Sequence, residues 1–210
     1  MAGVVAGLTL AGPSSATLLG TALQFPLISF DNGGVTAYDA STDAFGVTAF
    51  PVAARFEAGG APIFITPFGE FPEAFVISIN VDQDGNLVGG FDGDDLTVFG
   101  FIDVDADGIP DVGGTLLTGE VTGFGHQNNG ATDLYDFTFD VTGGELASLF
   151  GGQVAVSMQS EASTFNGEFA ESFAGRAKGT LGVVPEPTTL VLLGAGVFGL
   201  ATAGSRRRAA

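Results

Sequence analysis

The sequence predicts an all-β fold: an antiparallel β-sandwich, jelly-roll-like in arrangement, followed by a C-terminal transmembrane helix. Three observations predict it. Apolar and polar residues alternate with period two in many short segments, and no helix-period stretch of about 12 residues or more stands out in the body of the chain. Glycine, 34 residues of 210, punctuates those segments at short intervals. Near the C-terminus, residues 190–204 form an uncharged run rich in Leu, Val, Ala and Gly, with three arginines behind it.

Residues 1–16 read as a secretion signal. The first ten residues are apolar and uncharged, and Gly12-Pro13 ends that run. Ser14 and Ala16 then place small residues where a cut after Ala16 needs them. No Lys or Arg precedes the run, which departs from the usual pattern.

Residues 17–181 are expected to hold the sandwich. The clearest strand is Tyr135-Asp136-Phe137-Thr138-Phe139-Asp140-Val141-Thr142, with aromatic and aliphatic residues on one face and polar residues on the other. Phe75, Ile77, Ile79 and Val81 alternate in the same way, and Asp84-Gly85-Asn86 turns the chain into Leu87-Val88, a hairpin. Further strands are expected at residues 21–30, 33–38, 46–55, 62–68, 96–103, 115–124, 153–161, 165–173 and 174–183, with one helical turn at 145–150. Short strands between Gly-rich turns favour a two-sheet sandwich. The 20 Phe are expected to fill its core, each burying about 150–250 Å². With no Trp and two Tyr, an aromatic platform for stacking sugars is disfavoured.

The charge balance excludes several function classes. There are 24 Asp and Glu against 6 Lys and Arg, a net charge of −18. Between residues 17 and 184 the cations are Arg55, Arg176 and Lys178 alone. Such a body repels a phosphate backbone, so no nucleic-acid partner is expected. The absence of Cys excludes disulfides, thiolate metal centres and a thiol nucleophile.

Asp103-Val104-Asp105-Ala106-Asp107-Gly108-Ile109-Pro110-Asp111 is the strongest chemical motif. Carboxylates two residues apart, with Gly after the third, suit a tight loop around a hard cation bound by six to eight oxygens. Close carboxylates also repel one another unless something neutralises them. The loop resembles the calcium loops of thrombospondin type 3 repeats. That resemblance implies Asp103, Asp105, Asp107 and Asp111 as ligands of calcium, with the Ile109 carbonyl as a fifth. The twelfth position is Gly114 rather than the Glu of an EF-hand, which points to an extracellular-type Kd of about 10⁻⁴–10⁻³ M. A solvated acidic turn is the alternative, since Asp and Gly are ordinary turn formers. Asp82, Asp84 and Asn86 make a weaker second cluster, with Asp92, Asp94 and Asp95 able to complete either.

No catalytic signature is evident, and the chain is not expected to be an enzyme. The sole imidazole, His126, lies in a polar turn, and no Gly-x-Ser-x-Gly elbow exists. Glu70 with Glu73, and Glu168 with Glu171, are carboxylate pairs of the kind glycoside hydrolysis uses, but pairs arise by chance among so many acids.

Residues 182–187 form a Pro-containing linker, and 188–210 the transmembrane helix with its basic tail. Fifteen helical residues rise about 22 Å, and Thr188, Thr189 and Ser205 extend the run enough for a thin bilayer. Arg206, Arg207 and Arg208 fix the orientation, because clustered cations stay on the cytoplasmic side. Pro185 and Pro187 break any helix and leave an extended peptide outside the membrane. The order Pro185-Glu186-Pro187, apolar run, Arg206-Arg207-Arg208 resembles the PEP-CTERM sorting signal of bacterial envelope proteins. The resemblance covers roughly the last 25 residues. It implies that Pro185, Glu186 and Pro187 are recognised by an exosortase-like processing enzyme. It also implies that the chain is membrane-anchored before processing and passes to the cell envelope or extracellular matrix.

The expected function is therefore a structural or adhesive role in the exopolysaccharide or biofilm matrix. The alternatives are a secreted glycan-processing enzyme using a carboxylate pair and a calcium-dependent glycan-binding module.

Overall fold

The computed structural model describes residues 18–185. The expected signal, Glu186, Pro187, the C-terminal span and Arg206–Arg208 lie outside the described residues. Among the described residues no helix is long and apolar enough to cross a membrane.

Ten strands, all paired antiparallel, and one helical turn make up the described chain. They are β1 (Gln24–Asp39), β2 (Ala44–Arg55), β3 (Ile63–Thr66), β4 (Ala74–Val81), β5 (Leu87–Gly90), β6 (Leu96–Ile102), β7 (Val112–Gln127), β8 (Thr132–Gly143), α1 (Ala147–Phe150), β9 (Gln153–Glu161) and β10 (Phe173–Val183). The all-β, antiparallel expectation holds. The two separate sheets do not: every strand belongs to one sheet, which the β1–β2 pairing closes into a ring, with β6–β4 as a further pairing.

Two lanes of this ring are broken strands. β4 pairs with β2 at Ala44–Ala49 and with β6 at Leu96–Phe99. β3 takes up the same gap further along, pairing Ala53 and Ala54 of β2 and Phe101 and Ile102 of β6. β5 and β6 likewise share the lane beside β4, meeting Ile79–Val81 and Ala74–Ile77 respectively. Eight lanes follow one another in sequence order, and β10 closes on β1. This is an up-and-down barrel, without the Greek-key crossovers of a jelly roll. Bulges curve the ladder enough to close. β1 alone shifts register between Gln24 and Leu27 and between Phe30 and Thr36 against β10. Strands expected at 21–30 and 33–38 are therefore one bent strand. At Gly34 the bend brings β1 so close to β2 that a Cβ would lie 1.6 Å from the Thr48 carbonyl oxygen.

Period-two alternation puts one face of each strand inside. Ile28, Phe45, Val47, Phe75, Ile77, Val98, Phe137, Phe139, Val156 and Leu181 are all buried. Phe30 stacks on Phe75 with ring centroids 4.0 Å apart. The strand directions divide the loops between two ends. The exit end carries loops 56–62, 103–111 and 144–152 and the last residue of β10, Val183. The far end carries loops 40–43, 82–86, 128–131 and 162–172.

Each end is stoppered by aromatic side chains. Phe150 of α1, with Leu146 before it, is buried at the exit end. Phe165 and Phe169 are buried at the far end, against Tyr135 and Tyr38. Of the strand expected at 165–173, residues 165–172 form a loop instead, because Asn166-Gly167 turns the chain: Gly167 has φ +101° and Glu168 N–H donates to the Asn166 side chain at 3.0 Å. Core filling does not account for every Phe. Phe64, Phe68 and Phe71 are exposed on the outer wall, where Phe68 packs 5.5 Å from Phe101 and Phe101 lies edge-on to Phe99.

Candidate functional site

The acidic loop joins β6 to β7 at the exit end. Its backbone is held by its own carboxylates. Asp103 accepts from Asp107 N–H at 3.2 Å and from Gly108 N–H at 2.7 Å. Asp111 reaches back to accept from Val104 N–H at 2.8 Å, and its own N–H donates to the Ile102 carbonyl at 2.9 Å. Ala106 (φ +59°) and Gly108 (φ +88°) take the left-handed conformations that so tight a loop requires.

This folding brings Asp103, Asp105 and Asp111 together, with one carboxylate oxygen of each within 4.8 Å of the others. Asp107 is turned aside, accepting from Ile109 N–H at 2.8 Å. A hard cation prefers such an all-oxygen set on a tight loop. The same backbone bonds also hold the loop as a self-satisfied acidic turn. Val104 and Ile109, both exposed, flank the carboxylates.

The other acidic residues lie elsewhere. Asp82 sits at the far end, accepting from Asp84 and Asn86 N–H at 3.0 and 2.8 Å. The Asn86 N–H leads the bonds that hold the Asp82 carboxyl below the usual range. Asp95 is buried in the barrel wall, where it accepts from Phe91 and Val121 N–H, each at 2.9 Å. Asp94 accepts from the Thr142 hydroxyl. Asp95 pins the break between β5 and β6 and joins neither cluster.

His126 is not a turn residue. It is the next-to-last residue of β7, faces inward and is 7% exposed, against Phe165 and Phe169. Burial pushes its imidazole below the ordinary value. Asp133, Tyr135 and Ser160 share this inner wall: His126 pairs across the sheet with Tyr135, and Asp133 with Ser160. Asp133 accepts from Asn129 N–H at 2.8 Å through one oxygen. Its other oxygen, His126 Nδ1 and Ser160 Oγ have no hydrogen-bond partner among the described residues. The sequence carried a signal for this set. The alternation of Tyr135, Phe137 and Phe139 runs back to Asp133 on the same face. Glu70, Glu168 and Glu171 lie on exposed loops, and Glu73 is half-buried at the end of one.

The start of the sorting peptide is part of the folded body. Gly182 and Val183, which the alternation places in the strand at 174–183 and the domain division places in the linker, belong to β10. Val183 pairs with Gln24 of β1 on one side and Val154 of β9 on the other. Val184 N–H donates to the Gln153 carbonyl at 3.2 Å. Pro185, half-buried, lines a groove of about 320 Å³ with Phe150, Gly151, Gly152 and Gln153. The ladder stops there because Pro185 has no N–H to donate.

No curated protein and no solved structure matches this chain. A family model described as the PEP-CTERM protein-sorting motif matches residues 183–208. The match takes in Pro185-Glu186-Pro187, the apolar run 190–204 and Arg206–Arg208. The chain carries a PEP-CTERM protein-sorting motif, which implies export and processing by an exosortase.

Proposed function

We propose that this is a non-enzymatic protein of the cell envelope or extracellular matrix, delivered there by exosortase processing and serving a structural or adhesive role among exopolysaccharides. The observation that carries the reading is the sorting motif at residues 183–208, joined directly to the last strand of a closed barrel. Before processing, the apolar run 190–204 holds the chain in the membrane, with Arg206, Arg207 and Arg208 on the cytoplasmic side. The barrel then lies outside. A sealed apolar core and stoppered ends suit a durable module. The exposed Phe64, Phe68 and Phe71 suit contact with a partner, since contiguous apolar surface marks interaction sites. Because the ring is closed, adhesion works through its walls and loops, not through strand edges.

Calcium is the proposed ligand of the acidic loop, bound by Asp103, Asp105 and Asp111, with Asp107 recruited by rotation of its side chain. The convergence of three carboxylates supports this. It also favours a second reading, a calcium-dependent glycan-binding module. Calorimetric titration of the full-length protein in detergent with CaCl₂ tests the ligand, with heats expected at a Kd of about 10⁻⁴–10⁻³ M. No heat and an unchanged melting temperature at about 10 mM would reject calcium. Retention on polysaccharide only when calcium is present would favour the second reading.

A further inference from the structure

We infer that the folded barrel gates its own sorting, because residues 183 and 184 must peel away from β1 and β9 before an exosortase can engage Pro185-Glu186-Pro187. The inference rests on the reading that an exosortase processes the chain at this motif, and it adds a conformational step to that reading.

Two observations carry it. The first is that the backbone just before the tripeptide is already in use. Val183 is paired on both sides, Val184 donates to Gln153, and Pro185 lines the wall of a groove with Phe150 and Gly151. An enzyme that reads an extended peptide does so largely through main-chain hydrogen bonds and side-chain pockets. Groups held by β9 cannot serve a second cleft at the same time.

The second observation is reach. Residues 184–187 separate the last residue of β10 from Thr188, where the expected span begins. Four extended residues cover at most about 14 Å. One helix with its side chains is already about 10–12 Å thick. A membrane enzyme therefore has room for little more than one wall between the exit end and the bilayer. Unpairing residues 183 and 184 lengthens the free peptide and removes the obstruction together. The cost is small. The peeled segment gives up the pairing of Val183 with Gln24 and Val154 and the Val184 bond, all at the end of a strand, and terminal strands lie at the low end of local unfolding free energies. A net hydrogen bond contributes about 1 kcal/mol, which is about a fivefold change in the open population.

Two variants of the full-length chain test this in cells containing an exosortase, with loss of the C-terminal segment followed by pulse–chase. The first inserts a six-residue Gly-Ser spacer between Val184 and Pro185, leaving the barrel and the tripeptide intact. Processing is expected to quicken at least about fivefold. The second staples the strands with V154C and V183C. These positions face each other in the register, and the chain has no other Cys. The oxidised form is expected to be processed more slowly than the reduced form, and the spacer is expected to rescue it. Equal rates for the spacer variant and the wild type would overturn the gate while leaving the sorting reading intact. If the wild type keeps its C-terminal segment in those cells, the sorting reading fails and the gate with it. Should the stapled variant not fold, the spacer variant decides alone.

Discussion

His126 shows how the barrel constrains single residues. Its ring is packed among Phe124, Phe165 and Phe169, and Nδ1 has no partner. Burial lowers its pKa, so the fold favours the neutral ring. Between the folded and unfolded values the unfolded chain binds more protons, and stability therefore falls as pH drops below about 6.5. The variant His126→Phe is expected to melt at least as high as the wild type at pH 7. It should also lose less stability between pH 7 and 5. Melting curves of both proteins across that range measure the effect, and parallel pH slopes would contradict it. Asp95 matters through its hydrogen bonds. Asp95→Ala leaves the Phe91 and Val121 N–H groups without their acceptor. The expected loss is about 2–4 kcal/mol by urea denaturation. A loss under about 0.5 kcal/mol would mean that water replaces the carboxylate.

At the scale of elements, the acidic loop and the aromatic stoppers carry the predictions. If calcium binds with a Kd near 10⁻³ M, 10 mM stabilises the fold by about 1.4 kcal/mol. For a domain of this size the melting temperature should then rise about 3–6 °C. Asp103→Asn with Asp111→Asn should abolish the rise, and an unchanged rise would place the ion elsewhere. Phe169→Ala, which opens the far-end stopper, is expected to cost about 3–5 kcal/mol. Most strands were legible in the sequence because a half-buried strand must alternate, as β4, β6 and β8 do. The far-end loop was misread because Phe165, Phe169 and Phe173 recur every four residues, a spacing that a folded-in loop can share with regular structure. Closure was not legible. Pairing of β1 with β10 joins residues more than a hundred positions apart, and alternation fixes only which face a residue takes. In the acidic loop the motif was visible, but not the turning aside of Asp107. That follows from the Ile109 N–H needing an acceptor.

For the whole molecule, the decisive pattern is the contrast between an acidic body and a basic tail across an apolar run. Replacing Arg206, Arg207 and Arg208 with Asn is expected to reduce correctly processed protein, read by cell fractionation, because the span loses its orienting charges. Unchanged processing would count against the topology. The most direct test of the account is the intact mass of the mature protein recovered from the envelope and medium of its native host. The expected mass is that of a chain that keeps β10 but lacks the apolar run and Arg206–Arg208. A full-length chain in the cytosol, with its carboxyl terminus intact, would contradict it.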